Sequence, residues 1–258
     1  MAIKLLVACQ KGGIGKTTST VLLGEILAQS GYRVLVVDLD TQGNATQMIS
    51  QKNIYEYSEK TILEAIKERN PVPYIFRSER TENLHYMAAE DMLITFSRYI
   101  YTARVKNPLY VLGETLEKVD GEYDFILLDS PPNLGDIVLN AICYADYVLI
   151  PMFLGGFCDD AVVRFIDFIE NAKANGHTDI DILGIFFTMR HSRDALERDL
   201  AESFRATYGD LIFQTEIKAR AKIKRLAFDG VSIQKKSDVE TLEDYLQLVE
   251  EVIERVKK

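Results

Sequence analysis

A glycine-rich segment near the start of the chain has the residue types that bind phosphate. Its glycines allow backbone N–H groups to approach phosphate oxygens, and the helix that follows adds a favourable partial charge. Lys16 supplies a positive charge for the β and γ phosphates, and Thr17 offers a hydroxyl to Mg²⁺. Gly15-Lys16-Thr17 form the end of a Walker A loop, whereas Gln10 stands where its first glycine usually lies. The sequence therefore predicts a variant P-loop.

Two further segments place carboxylates where such a loop needs them. Asp38 and Asp40 end one apolar run, and Asp129 ends another. Because strand carboxyl ends border the nucleotide crevice in parallel α/β sheets, we expect these aspartates to lie beside the phosphates. Asp129 is expected to hold a water on Mg²⁺, and Asp40 to act at the metal and orient the attacking water. Without the loop, an aspartate at a strand end is more simply a turn former or helix cap.

The elements that must position these residues follow from the apolar pattern. Six runs rich in β-branched and aliphatic residues alternate with helix-length stretches; they are Ile3–Cys9, Arg33–Leu39, Leu84–Ala88, Asp124–Asp129, Asp146–Pro151 and Leu183–Thr188. This alternation predicts an α/β fold, with a mostly parallel twisted sheet flanked by helices on both faces. The first helix should follow the glycine loop and end at Gly31. The Pro-containing segment Asn70–Arg80 is expected to be a surface excursion.

Composition sets limits on the class of protein. The hydrophobic share of 47% and the charged share of 27% are ordinary for a globular chain. We expect residues 1–258 to form one P-loop ATPase domain without an N-terminal helix-turn-helix domain, located in the cytoplasm. The apolar runs are far shorter than the ~20 residues that cross a bilayer, so no transmembrane segment is expected. The net charge of −9 does not exclude DNA, because binding responds to the local field.

The cysteines and histidines show no metal-ligand spacing. Cys9, Cys143 and Cys158 contain no CxxC pair and are expected to be reduced packing residues, with a cluster bridged between subunits as the weaker alternative. The three histidines are scattered. The segment Tyr99–Tyr110 mixes aromatic and basic residues that could stack on nucleic acid, but an amphipathic core helix explains it more simply.

Three motifs together resemble a known family. Gln10–Thr18 (QKGGIGKTT), Val37–Thr46 (VDLDTQGNAT) and Leu128–Pro132 (LDSPP) are similar to the deviant Walker A, Walker A′ and Walker B segments of ParA/Soj-type partition ATPases, which are related to MinD. Thr188–Arg190 and Ile217–Ile233 also resemble the adenine-side and C-terminal segments of that family.

This resemblance implies a weak Mg²⁺-dependent ATPase that forms a nucleotide-sandwich homodimer with ATP. Lys11 would be the signature lysine that reaches the partner's ATP, and the catalytic residues would be Lys11, Lys16 and Asp40. The implied nucleotide contacts are Lys11, Gly12, Gly13, Ile14, Gly15, Lys16, Thr17 and Thr18, with Met189, Arg190 and Lys218 on the adenine side. The metal site would comprise Thr17, Asp40 and Asp129.

The resemblance also implies non-specific binding to duplex DNA by the ATP-bound dimer, and hence association with the nucleoid. The segment from Lys218 to Arg225 carries five basic residues and no acid. Arg193 and Lys222 match DNA-contacting positions of the family, and Arg220, Lys224 and Arg225 extend the same charge. A ParB-type centromere-binding activator would stimulate hydrolysis and release the DNA.

Two other functions remain open at this stage. A MinD-like ATPase that acts at a membrane surface would need a basic amphipathic C-terminal helix. The last helix here is mainly acidic, with basic residues only at its end. A P-loop metabolic or metal-carrier ATPase would need a substrate pocket, for which the sequence gives no candidate.

Overall fold

The computed structural model describes residues 1–103, 105–155, 158–191, 193–229 and 235–257, apart from the side chains of residues 158, 159, 224 and 226–228. The strands are β1 (Ile3–Val7), β2 (Val34–Asp38), β3 (Phe76–Arg77), β4 (Leu84–Met87), β5 (Phe125–Asp129), β6 (Tyr147–Phe153), β7 (Asp181–Arg190) and β8 (Ile212–Lys218). The α-helices are α1 (Lys16–Gln29), α2 (Asn44–Ser50), α3 (Ile62–Glu68), α4 (Phe96–Thr102), α5 (Val111–Leu116), α6 (Asp136–Tyr144), α7 (Cys158–Ala174), α8 (Ala195–Tyr208), α9 (Ala221–Asp229) and α10 (Lys236–Arg255).

The strands form one sheet in the order β3-β4-β2-β5-β1-β6-β7-β8. Every pairing is parallel except that of the short edge strand β3 with β4. In the register of the central strands, Asp129 of β5 lies opposite Val7 of β1 on one side and opposite Asp38 of β2 on the other. The glycine loop and the carboxylates of the Asp38 and Asp129 strands therefore meet at the carboxyl edge of the sheet.

Alternate side chains of the central strands fill two apolar layers. On β1, Leu6 packs into the layer that includes α3, α5, α6 and α7, whereas Leu5 and Val7 pack into the layer that includes α1 and α10. All three are fully buried. Full burial of such a side chain stabilises the fold by about 1.5–3 kcal/mol. Because both faces of the sheet are covered, the carboxyl ends of the central strands are held in fixed positions. A site built at those strand ends requires this.

The sequence predicted the six main strands and the α/β class correctly, and the differences lie at the sheet edges. The strand β8 was missed because it mixes polar and apolar residues (IFQTEIK), as an edge strand with one exposed face does. Within the expected surface excursion, Phe76 and Arg77 pair with β4 and Tyr74 is buried.

The aromatic segment Tyr99–Tyr110 is not one amphipathic helix, so that expectation is wrong. The helix α4 ends at Thr102, and the next helix begins at Val111 after a turn. On α4, Phe96 and Ile100 are buried in the core, whereas Tyr101 is exposed. Pro108 in the connection is incompatible with a continuous helix, because it lacks the N–H group that the helix interior needs.

Gly43 tests how tightly the loop after β2 is constrained. It has φ of +57°, and an added Cβ would lie 2.7 Å from the carbonyl oxygen of Ala89. We expect Gly43→Ala to lower the free energy of unfolding by about 2–3 kcal/mol, as strain and clash add. Gly31→Ala is the matched control, because Gly31 has φ of +98° but open space around it. It should cost only about 1 kcal/mol. Urea unfolding measures both, and equal effects would contradict the tight packing at Gly43.

Candidate phosphate and metal site

The glycine loop lies between β1 and α1 with its backbone in conformations that glycine favours. Gly13 has φ of +74° and Gly15 has φ of +89°. Gly15 precedes the first residue of α1, and no side chain caps that helix N-terminus. The free N–H groups of the first turn and the exposed backbone of Gly12 and Gly13 together make a cradle for an anion. This geometry fits a phosphate group.

Lys16 lies inside this loop. Its side chain is buried, and Nζ donates a hydrogen bond to the carbonyl oxygen of Lys11 at 2.7 Å. Burial lowers the pKa of Lys16, while the nearby carboxylates of Asp129 and Asp40 oppose that shift. A bound phosphate would offer this ammonium group a stronger acceptor than a neutral carbonyl. Lys11 itself is half-buried at the start of the loop.

Contacts from two other elements fix the loop in place. The Thr188 hydroxyl on β7 donates to the carbonyl oxygen of Ile14 at 2.9 Å, and Ile14 is buried in the core. On the other side, Ser130 Oγ donates to the carbonyl oxygen of Val7 at 2.9 Å. Thr17 and Thr18 follow the loop on α1 and are half-buried. The loop is therefore rigidly connected to β5 and β7.

Asp129 is fully buried beneath the loop. Its Oδ1 accepts a hydrogen bond from Thr20 Oγ1 at 3.1 Å, and the nearby Thr17 side chain opposes the rise in its pKa. Its Oδ2 is buried and has no hydrogen-bond partner among the described residues. Burial and the neighbouring Asp38 raise the pKa of Asp129 well above its usual value. An unpaired buried carboxylate oxygen beside a threonine hydroxyl fits the water shell of a Mg²⁺ ion.

The loop after β2 is organised around Asp38. This buried carboxylate accepts hydrogen bonds from the backbone N–H of Asp40 at 3.1 Å, and from the N–H and hydroxyl of Thr46 at 2.8 and 2.7 Å. Burial raises its pKa to about 6, although these hydrogen bonds oppose the shift. The loop then turns, with a hydrogen bond from Gly43 N–H to the Asp40 carbonyl oxygen at 2.9 Å. Asp40 is 9% exposed, and its Oδ1 accepts a hydrogen bond from Gln42 N–H at 3.0 Å.

The roles of Asp38 and Thr46 are those that sequence reasoning missed. Asp38 was seen only as the end of a strand, but it positions the Asp40 loop. Thr46 also accepts a hydrogen bond from Ala89 N–H, which connects this loop to the end of β4. The available signal was the spacing of Asp38 and Asp40 before the polar first turn of α2.

Two of the residues expected on the adenine side are engaged in ion pairs. The buried guanidinium of Arg190 contacts Glu197 at 2.8 Å and Glu216 at 2.9 Å. Lys218 lies opposite Arg190 in the β7–β8 pairing and contacts Asp244 at 3.3 Å. Both residues are the last residues of their strands and so lie at the carboxyl edge of the sheet, and their contact with a nucleotide stays a prediction.

Met189 is the third of these residues, and its backbone is unusual. It has φ of +52°, a left-handed conformation that non-glycine residues rarely adopt and that often marks a functional position. Met189 is half-buried next to Arg190.

Comparisons with known proteins agree with this geometry. A family model described as an AAA domain matches residues 3–182. The chromosome-partitioning ATPase Soj of Thermus thermophilus is 30% identical over 259 residues, which cover 99% of this chain and 97% of the relative. The chain belongs to the ParA/Soj family of ATPases. The sporulation initiation inhibitor Soj of Bacillus subtilis is 29% identical over 87% of each chain. The solved structure of apo McdA from Cyanothece has a TM-score of 0.86 at 23% identity, covering 98% of this chain and all of that one, and shows the same fold.

In this ParA/Soj protein the expected DNA-contacting residues do not form one free patch. Arg193 is exposed in the turn before α8, and the Arg225 side chain is 81% exposed and pairs with Asp229. Arg220 and Lys222 instead contact α10, with Nη1 of Arg220 at 2.6 Å from the Glu240 carbonyl and Nζ of Lys222 at 2.7 Å from the Ser237 carbonyl. The side chain of Lys224 lies outside the described residues.

Metal clusters, disulfides and membrane-spanning helices were not expected from the sequence, and each can be compared with the described part of the chain. Within the described ranges, no three His, Cys, Asp or Glu side chains are grouped so that they could hold a metal ion. Cys9 and Cys143 form no disulfide, and the side chain of Cys158 is not described. No helix in the described part of the chain is both long and apolar enough to span a membrane.

The two buried carboxylates predict how the stability of this ParA/Soj protein depends on pH without nucleotide. Because the folded-state pKa of Asp129 and of Asp38 is raised, the folded chain binds more protons than the unfolded chain between the two pKa values. Stability should therefore fall as the pH rises from the unfolded value of about 4 through the folded value, which is about 6 for Asp38.

Asp129→Asn removes one of these buried charges and should raise the free energy of unfolding at pH 8 by on the order of 1–2 kcal/mol, with a smaller gain at pH 5. Asp199→Asn is the control, because the Asp199 side chain is 73% exposed. Urea unfolding at both pH values measures the difference. Parallel stability curves for Asp129→Asn and the wild type would contradict a raised pKa for the buried Asp129.

Proposed function

We propose that this chain is a partition ATPase that uses ATP and Mg²⁺ to switch its binding to DNA. The observation that carries the proposal is the phosphate cradle with buried Lys16 above the unpaired oxygen of Asp129, in a chain similar to Soj over nearly its full length. The cargo would be a chromosome or plasmid, since the curated relative is named for chromosome partitioning.

The residues of the loop would act on the phosphates by position and charge. The N–H groups of the loop and of the first turn of α1 hold the phosphate oxygens, and Lys16 exchanges the Lys11 carbonyl for the β and γ phosphates. Mg²⁺, when bound, neutralises charge that develops between these phosphates. Thr17 would supply a hydroxyl ligand to the metal, and the unpaired Oδ2 of Asp129 would accept a hydrogen bond from a water on the metal. Asp40, held by Asp38, orients the attacking water.

Lys11 would complete the site in a homodimer. Two ATP molecules that face each other concentrate negative charge, and a second lysine from each subunit offsets part of this repulsion. The ATP-bound dimer binds duplex DNA without sequence preference, and a ParB-type activator stimulates hydrolysis and so releases the DNA. The nucleoid would then be the location of the ATP-bound form.

The acidic surface of α10 argues against a lipid surface as the partner of this helix. Four glutamates lie at exposed positions along this helix, namely Glu240, Glu243, Glu250 and Glu254, and Lys236 at its start is the one exposed basic residue of the helix. Anionic lipid would repel such a face. A helix that binds a membrane surface would instead carry lysine or arginine there.

Substitution at Asp40 separates the chemical step from nucleotide binding. We expect Asp40→Ala to bind ATP and dimerise normally but to lose most of its turnover, about 10²-fold or more, because the water is no longer oriented. Lys16→Ala should instead lose affinity for ATP. Light scattering with ATP and a phosphate-release assay measure the two steps. Wild-type turnover by Asp40→Ala would remove this residue from the mechanism.

DNA binding is tested through Arg193, an exposed basic residue for which the described part of the chain shows no ion pair. We expect retention of the protein on duplex DNA to require ATP, to be independent of sequence and to weaken steeply with salt. Arg193→Ala should reduce affinity uniformly across sequences. It should also make the log–log salt slope less negative by about 0.9 for each phosphate that is no longer neutralised, or about 1.8 in the dimer.

Arg33→Ala is the matched control. Arg33 is exposed and pairs with Asp124 at the opposite edge of the sheet. If an ATP-bound dimer is not retained on DNA at low salt, or if both substitutions have equal effects, the assignment of this surface to DNA fails. Adding the product of the neighbouring gene to the ATPase assay tests the activator.

A further inference from the structure

The basic segment that precedes and begins α9 is held by two buried carboxylates of α10. Asp244 lies between Lys218 and Arg220, with its carboxylate oxygens 3.3 Å from Nζ of Lys218 and 3.4 Å from Nη2 of Arg220. It also accepts a hydrogen bond from the backbone N–H of Lys218 at 3.1 Å. Two of the cations in this segment thus share one internal anion.

A second carboxylate lies one turn and a half earlier on the same helix. Asp238 is 3.9 Å from Nζ of Lys222 and 3.9 Å from Nζ of Lys235. Its Oδ1 also accepts a hydrogen bond from Ser237 Oγ at 3.2 Å. The Asp238 and Asp244 side chains are only 6% and 4% exposed, whereas those of Lys218 and Lys222 are about half exposed.

The position of these carboxylates is fixed by the packing of α10. Tyr245, next to Asp244, is fully buried and its hydroxyl lies 3.0 Å from Ser19 Oγ on α1. Leu242 and Leu248 pack into the same apolar layer as α1. Because the helix cannot move away without breaking these interactions, the two anions stay beside the basic segment.

We propose that Asp238 and Asp244 form an internal latch that restrains DNA binding by neutralising Lys218, Arg220 and Lys222. This inference rests on the proposed binding of DNA by the same segment. Phosphates must compete with buried, fixed carboxylates for these cations, so each contact with DNA is weaker than a free lysine or arginine would make. The latch sets the affinity low enough for DNA to be released, and the exposed Arg193 and Arg225 remain available for the first encounter.

Asp244→Asn tests the latch because it removes the anion but keeps an acceptor for the Lys218 N–H group. Glu243→Gln is the matched control, since Glu243 is the adjacent residue, is exposed and loses the same charge. Retention on a duplex DNA of fixed length is measured against salt, without nucleotide and with a non-hydrolysable ATP analogue.

We expect Asp244→Asn to bind DNA roughly tenfold more tightly than Glu243→Gln at low salt with the non-hydrolysable ATP analogue. Its log–log salt slope per subunit should be more negative by about 1.8, the value for two additional phosphate contacts. Asp238→Asn, compared with Glu240→Gln, should make the slope more negative by about 0.9 per freed lysine. Unchanged affinity for the ATP analogue and an unchanged melting temperature show that each variant is folded.

Equal affinities and slopes for Asp244→Asn and Glu243→Gln, or weaker binding by Asp244→Asn, would overturn the latch. If Asp244→Asn does not fold, Asp238→Asn against Glu240→Gln decides in the same way. Failure of the wild type, Glu243→Gln and Asp244→Asn all to bind DNA with the ATP analogue counts against the proposed function. Binding by the wild type and Glu243→Gln with no gain in Asp244→Asn counts against the latch alone.

Discussion

The charge cluster beneath the glycine loop is the constraint on which the rest of the site depends. Asp129 and Asp38 are buried side by side at the ends of two paired strands, with Lys16 above them. Burial disfavours the charged form of each group, so the pKa of Lys16 is lowered while those of the two aspartates are raised. Such an arrangement costs stability. Phosphate and Mg²⁺ would offset this cost by completing the hydrogen bonds and the charge balance.

The elements around this cluster hold its geometry rather than supply its chemistry. Thr188 fixes the loop from β7, Thr46 fixes the Asp38 loop, and Thr20 holds one oxygen of Asp129. Each of these threonines is buried, and each connects a functional segment to a neighbouring element. The site is therefore preorganised, because its polar groups need little rearrangement when charge develops during hydrolysis.

The C-terminal helix connects this site with the surface that we assign to DNA. Tyr245 contacts Ser19, one turn beyond the loop, and the adjacent Asp244 contacts Lys218 and Arg220. Basic residues that are close in the sequence therefore have different surroundings. Arg225 is largely exposed, whereas Arg220 is held by backbone carbonyls and a buried carboxylate. A count of basic residues overstates the charge that this segment presents to a polyanion.

The sequence by itself determined the class of fold and predicted which residues bind phosphate. The loop motif and the strand-end aspartates are local signals, since glycine conformation, a helix N-terminus and an apolar run all act over a few residues. The alternation of strands and helices likewise indicated a parallel sheet, and only strands at the edge such as β8 were missed, because their burial pattern is weaker.

Only the tertiary structure decided which charges are free and which are paired. Arg190 was expected to be a residue of the nucleotide site, but Glu197 and Glu216 surround it from α8 and β8. Asp244 lies 26 residues after Lys218, and nothing in the local pattern shows that the two are in contact. Asp38 likewise fixes the following loop only because it accepts a hydrogen bond from Thr46, eight residues away on α2. Ion pairs and buried hydrogen bonds depend on how distant elements pack, and that packing is a property of the whole fold rather than of any segment.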